Sequence, residues 1–342
     1  MGDAADLGFD RVPKVELHLH LEGAIPHRSL WELIQKYGGD PEVPNRRALD
    51  AKFAYTDFPH FIDTWVWKNR FLREYEDFVF LSEAVARDLS AQNVRYVEMF
   101  YSPADFHRHG LETLRLTEAI RSGLDKVADV EIALIADLVR DFGPVRAETA
   151  LSELNEAKQF GVIGIGLGGS EHDYPPELFE QAFRRAHGLG FRTTAHAGEA
   201  AGAESVWGAI RHLEAERIGH GTRAVEDEGL LDHLADCGIP VEMCPVSNLR
   251  TGVVAGLEDH PVRHFFERGI HVTVNTDDPK MFGTSLAEEY ERLVSVLGFS
   301  RDEVLTLILN AVSGSWLQEE RKVALAEQLK GDPAWSQDAA AT

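Results

Sequence analysis

The stretch Ile270-His271-Val272-Thr273-Val274-Asn275-Thr276-Asp277-Asp278-Pro279 runs from β-branched apolar residues straight into two adjacent carboxylates. The run over 271–275 reads as a buried strand. A strand points successive side chains to opposite faces, so one acid can bind a metal while its neighbour reaches a ligand. Such a pair beside a core is costly unless a cation and a polar ligand sit there. Seven further runs of this kind precede it, at 14–20, 94–101, 130–138, 162–167, 192–196, 217–220 and 239–243. Helix-like periodic segments fall between them, at 77–90, 111–128, 147–159, 176–189, 203–213 and 227–237. Alternation of strand and helix implies parallel strands joined by crossovers. Eight units predict an α/β fold, the closed (β/α)8 TIM-type barrel, with reactive groups at the carboxyl ends of its strands. An open doubly wound sheet is the alternative. The stretch 26–73 exceeds a simple crossover and is rich in Phe, Trp and Pro, which predicts extra helices over the mouth after strand 1.

The 342 residues, 44% of them hydrophobic, suffice for one large core, so a single domain is expected over 1–342, its core about 11–330. Acidic side chains outnumber basic ones by 57 to 34, and the net charge of −23 with no basic stripe argues against a nucleic-acid partner. Cys237 and Cys244 are the only cysteines, which points to a reducing compartment without a disulfide framework. No apolar run is long enough to span a membrane. The acidic start over 1–10 lacks the layout of a signal peptide. The expected location is cytoplasmic. The polar, Ala-rich tail after Gly331 predicts a frayed end. Nothing in the sequence fixes an oligomeric state.

His18-Leu19-His20 lies in the first run, where alternation puts both imidazoles on one face, aimed into the barrel. His196, in His196-Ala197-Gly198-Glu199, ends the fifth run and can supply a third nitrogen. Glu199 follows where the chain turns, close to a metal without binding it, as a proton shuttle would stand. His220 sits between two glycines at the end of the sixth run, where the backbone can bend and a ligand can come close. Asp277 supplies an oxygen. Three neutral imidazoles and a carboxylate suit one Zn2+ per chain, which would activate a water. No Lys stands over 162–169 to carry a carbamate between two metals, which favours a single ion.

The segment 13–23, with His196-Ala197-Gly198-Glu199, Gly219-His220-Gly221, Cys244-Pro245-Val246-Ser247-Asn248 and Thr276-Asp277-Asp278-Pro279, resembles the adenosine deaminase family, in order and over 13–315. The resemblance implies that His18, His20, His196 and Asp277 hold zinc. It implies that Glu199 donates a proton to N1 of a purine and that activated water attacks C6. His220 would orient that water, Asp278 would bond N7, and the backbone N–H of Gly169 would approach N3. The implied partner is a small-molecule purine. The implied reaction is hydrolytic deamination of a 6-aminopurine, adenosine or deoxyadenosine first, to the 6-oxopurine and ammonia. Adenine deaminase and aminodeoxyfutalosine deaminase are the alternatives within the family. A multi-metal phosphoesterase on a similar barrel, or a non-catalytic binding relative, are the alternatives outside it.

Two positions depart from typical adenosine deaminases. Glu22 stands where the family often has an Asp contacting the ribose 5′-hydroxyl, and Ser170 precedes Glu171 where Asp is usual. Adenine deaminases of the family resemble this sequence at both. Phe58, Phe61, Ile62 and Trp65 have helical spacing and read as a roof over the purine or as packing under the insertion. Lys68, Arg70 and Arg73 read as a solvated face, or as a site for an anionic substituent on an extended nucleoside.

Overall fold

The computed structural model describes residues 7–55 and 58–335, side chains at 58 and 59 excepted. Eight strands, β1 (Lys14–His20), β2 (Val94–Tyr101), β3 (Glu131–Asp137), β4 (Val162–Gly166), β5 (Arg192–Ala197), β6 (Arg217–His220), β7 (Val241–Met243) and β8 (Val272–Val274), lie side by side in chain order. Every pairing between neighbours is parallel. The seam between β8 and β1 is closed past the end of β8: His20 N–H donates to the Asp277 carbonyl (2.9 Å), and Asp277 N–H to that of His18 (3.0 Å). The molecule is thus the TIM-type barrel expected from the alternation.

The last strand is shorter than the apolar run suggested. Leu17 N–H donates to the side-chain oxygen of Asn275 (2.8 Å), so a side chain takes over the ladder there. The third and seventh strands are likewise trimmed at their ends, the seventh because Pro240 stands just before it.

Three helices, α1 (His27–Lys36), α2 (Arg46–Lys52) and α3 (Phe58–Asn69), form the extra layer after β1, and α4 (Tyr75–Ala91) leads back to β2. The other crossovers carry α5 (Thr113–Leu124), α6 (Gly143–Ala157), α7 (Glu180–Gly188), α8 (Ala203–His212), α9 (Glu228–Cys237), then α10 (Pro245–Arg250) and α11 (Val262–Glu267). Beyond β8 come α12 (Pro279–Phe282), α13 (Leu286–Ser295), α14 (Arg301–Gly314) and α15 (Glu319–Lys330). None of the helices described is long and apolar enough to cross a membrane.

The barrel interior is partly ionic. Arg217 of β6 is ion-paired with Glu98 of β2 and, at 2.5 Å, with Glu242 of β7, and its guanidinium lies 3.6 Å from the Trp316 ring centroid. Strands β2 and β6 are not neighbours, so these side chains meet inside the barrel. At the amino-terminal side, Lys14 Nζ donates to the carbonyls of Phe9 (2.7 Å) and Val12 (2.6 Å), which fastens the incoming segment. The expected fraying after Gly331 does not hold as far as Trp335. That ring packs edge-on against Phe9 (6.4 Å), and Arg301 donates to the Ala334 carbonyl (2.7 Å). The remainder of the tail, and the first residues of the acidic start, lie outside the described residues.

Candidate metal and proton-transfer site

β1 brings His18 and His20 to one face, and His196 stands one residue before the end of β5. Their Nε2 atoms converge: His18 and His20 lie 3.0 and 3.1 Å from His196, and 3.6 and 3.3 Å from Asp277 Oδ1. Asp277 reaches this point from a left-handed backbone (φ 61°). Strand alternation does not separate Asp277 from Asp278, because β8 has ended. The left-handed turn puts both acids on one cavity, and the two seam hydrogen bonds hold it. Such a conformation costs about 1–3 kcal/mol in a non-glycine residue and persists only where its surroundings enforce it. Gly23 makes room for Asp278: a Cβ there would meet Asp278 Oδ1 at 1.7 Å.

The donor chemistry can be read atom by atom. His18 Nδ1 lies 2.8 Å from Glu242 Oε2. A carboxylate only accepts, so Nδ1 carries the proton and the Nε2 lone pair faces inward. Burial holds His18 and His20 well below the ordinary imidazole range, and His196 at about 4. All three are neutral near pH 7, the form that binds metal. Burial pushes Asp277 up to about 7 against the pull of the Ser247 hydroxyl, which donates to its Oδ2 at 2.7 Å. Lone pairs this close repel unless a positive centre lies between them. A divalent cation fits that point, and the nitrogen-rich set suits a first-row transition ion. Among the described residues, donor atoms of His18, His196, His220 and Asp277 all lie within 4.8 Å of one another. That grouping takes in His220 and leaves out His20.

Glu199 stands on the loop after β5. Burial, then the charges of Asp277 and Glu171, push its carboxyl well above the ordinary range. Its Oε2 is 3.5 Å from His220 Nε2. The loop is gripped by Glu171, which accepts from the backbone N–H groups of Gly198 (2.7 Å), Glu199 (3.1 Å), Ala200 (2.6 Å) and Ala201 (3.0 Å), and from the Ser205 hydroxyl (2.6 Å).

A cavity of about 830 Å³ opens over these groups. Glu199, His220, Asp277, Asp278 and Gly169 are among its lining residues. Its lining also takes in the polar Asn69, Ser102, Asp105 and Asp137 and the apolar Phe61, Ile62, Trp65, Val66 and Phe142. Phe61 stacks on Phe282 (5.1 Å), and Trp65 meets His20 edge-on (6.2 Å). The side chain of Phe58 lies outside the described residues. Glu22 does not line the cavity: its Oε1 accepts from Ser102 N–H (3.0 Å), and its Oε2 is buried without a partner. Nor do Lys68, Arg70 and Arg73. Lys68 is buried and donates to the Glu22 carbonyl (2.9 Å), Arg70 pairs with Asp40, and Arg73 lies over the Tyr37 ring (4.3 Å). The cations that do line the cavity are Arg108 and Arg146.

Sequence reasoning passed over Glu242, Arg217, Glu98, Asp137 and the grip of Glu171. A charged residue inside an apolar strand run was the available signal for the first three. Glu242→Gln is expected to weaken divalent-metal affinity about 10–100-fold by loosening His18, which competition against a chelating dye would measure.

A parallel barrel whose carboxyl-end mouth gathers imidazoles, an aspartate and a largely buried glutamic acid has the site of a metal-dependent hydrolase. The adenosine deaminase family model matches residues 13–331, and the chain belongs to that family, whose members are aminohydrolases. An aminodeoxyfutalosine deaminase of Streptomyces coelicolor is 37% identical over 93% of this chain and 84% of its own. The adenine deaminase structure from Arthrobacter aurescens superposes with a TM-score of 0.89 at 32% identity, over 93% of this chain and 98% of that one. An amidohydrolase structure from Burkhoderia ambifaria with bound Zn gives 0.88 at 29% identity, over 100% and 94%.

Proposed function

We propose that the protein deaminates a 6-aminopurine nucleoside, with adenosine or deoxyadenosine as the substrate and zinc as the ion. The observation that carries this reading is the convergence of a largely buried glutamic acid, a second carboxyl and an imidazole–aspartate cluster on one cavity. His18, His20, His196 and Asp277 would hold the ion, and the Zn-bound amidohydrolase of the same fold supports zinc. When bound, zinc supplies Lewis acidity that lowers the pKa of a water. Glu199, protonated through burial, gives its proton to purine N1 and makes C6 electrophilic. His220 steers the attacking oxygen toward C6. Asp278, whose Oδ1 has no partner within the protein, bonds N7. Gly169 N–H approaches N3. The C6–N6 bond then breaks: one of the water's protons leaves with the amino group as ammonia, the other returns Glu199 to its acid form, and N1 keeps the proton it received, leaving the 6-oxopurine.

The cavity, about 830 Å³ and lined also by Asn69, Ser102, Asp105 and Asp137, has room and hydroxyl partners for a nucleoside, which favours it over a free base. Glu22, set outside the cavity wall, would act on a sugar through Ser102. A second reading, aminodeoxyfutalosine, is favoured by one observation. Arg108 and Arg146 line the cavity together with Ile62, Val66 and Phe142, and would suit an anionic substituent on an extended nucleoside. A side-by-side assay of adenosine, deoxyadenosine, adenine and aminodeoxyfutalosine decides, read as kcat/KM. Nucleosides are expected to lead. A lead for free adenine overturns the nucleoside reading, and no ammonia from any of the four overturns the purine reading.

A further inference from the structure

His220 is buried at the end of β6 with a left-handed backbone (φ 60°) and an Nε2 that has no hydrogen-bond partner within the protein. Its other ring nitrogen is tied into a chain of buried groups. His220 Nδ1 lies 3.2 Å from Asn248 Nδ2, and Asn248 Oδ1 lies 3.1 Å from His260 Nε2. Thr222 Oγ1 also donates to Asn248 Oδ1, at 2.8 Å. At the far end, His260 Nδ1 accepts from the backbone N–H of Val262 (3.2 Å).

That last contact fixes the direction of the rest. A backbone N–H can only donate, so His260 Nδ1 presents a lone pair and the ring's proton sits on Nε2. The Nε2–H needs an acceptor, and in Asn248 only Oδ1 can serve. The amide is thereby oriented, and its NH2 group is turned toward His220. An NH2 group donates, so His220 Nδ1 accepts and the imidazole proton lies on Nε2, facing Glu199 and the convergent ligands. An Nε2 that bears a proton has no lone pair for a metal. His220 is thereby taken out of the ligand set it geometrically joins and made a hydrogen-bond donor.

We propose that Asn248 and His260 are positioning residues that hold His220 as the Nε2–H tautomer, which makes it a donor to the attacking oxygen and bars it from the metal. This rests on the deaminase reading for its catalytic consequence, but the tautomer itself does not. Thr222 contributes by holding Oδ1 on the same side.

The test is 15N NMR of ring-labelled histidine in the full chain without substrate, with and without one equivalent of Zn2+. His220, assigned by its loss in His220→Gln, is expected to show the Nε2–H pattern in both. An Nδ1–H pattern overturns the proposal outright, whatever substrate the enzyme takes. Asn248→Asp replaces the donor with an acceptor and should move the proton to Nδ1. The expected loss in kcat is then about 10²–10⁴-fold, by analogy with wrong-tautomer triad variants, with KM little changed. His260→Gln keeps a donor toward Asn248 Oδ1 and should retain both the pattern and most of kcat. His260→Phe, made together with Thr222→Val so that no donor to Asn248 Oδ1 is left, should lose both. Equal behaviour of the two His260 variants overturns the relay. Should Asn248→Asp fail to fold, the wild-type spectrum and the His260 pair still decide. Failure of every purine assay with the Nε2–H pattern intact would sink the substrate reading and leave this assignment standing.

Discussion

Glu199→Gln is expected to reduce kcat by about 10²–10⁴-fold, the range for removal of a positioned general acid. Thermal stability and metal content should stay close to wild type. The amide keeps the size of the side chain and can still hydrogen-bond, but it has no proton to give to a ring nitrogen. Burial and the neighbouring charges of Asp277 and Glu171 favour the protonated acid in the wild type. The loop itself is held through its backbone by Glu171, so the substitution leaves its support untouched. Steady-state ammonia release on the best of the four substrates, with circular dichroism and metal analysis of the same preparation, checks the prediction. Near-normal turnover would remove Glu199 from proton transfer.

Stripping the metal with a chelator is expected to abolish deamination, and one equivalent of Zn2+ per chain to restore it. A single set of converging donors is the reason, since the described residues offer no second cluster of His, Cys, Asp and Glu with ligand spacing. Asp277→Ala should not recover at that stoichiometry. It loses the oxygen ligand and leaves the Ser247 hydroxyl without its acceptor. Titration of apoprotein against activity, with metal quantified by emission spectroscopy, reads the number directly. A requirement for two or more ions would revive a multi-metal hydrolase.

Much of the barrel was legible because a strand covered by helices outside and packed inside reads as a nearly continuous apolar run. β1, β2 and β6 match their sequence runs end to end. The His18-x-His20 pair was legible because a two-residue period places both rings on one face. The ends of β3, β7 and β8 were not, since they are set by side chains such as Asn275 and by Pro240 rather than by hydrophobicity. The placement of Asp277 was misread in mechanism: a left-handed backbone brings the two acids together, and nothing in Thr-Asp-Asp-Pro announces that conformation. Lys68 looked like a solvated cation by composition. Its partners, the Glu22 carbonyl and Asn69, become visible only once α3 is packed against the barrel. The hydrogen-bonded chain through Asn248 and His260 joins residues from α10 and the loop before α11, which no local pattern connects.

The seam that joins β1 to the segment after β8 ties the timing of folding to the timing of synthesis. His18 and His20 leave the ribosome more than two hundred residues ahead of Asp277, yet Asp277 supplies the hydrogen bonds on one edge of their strand. Until that aspartate emerges, the first strand has one open edge and its imidazoles lack the carboxylate that stands beside them in the finished barrel. A nascent chain halted just before it already carries all eight strands but lacks the residue that closes the seam.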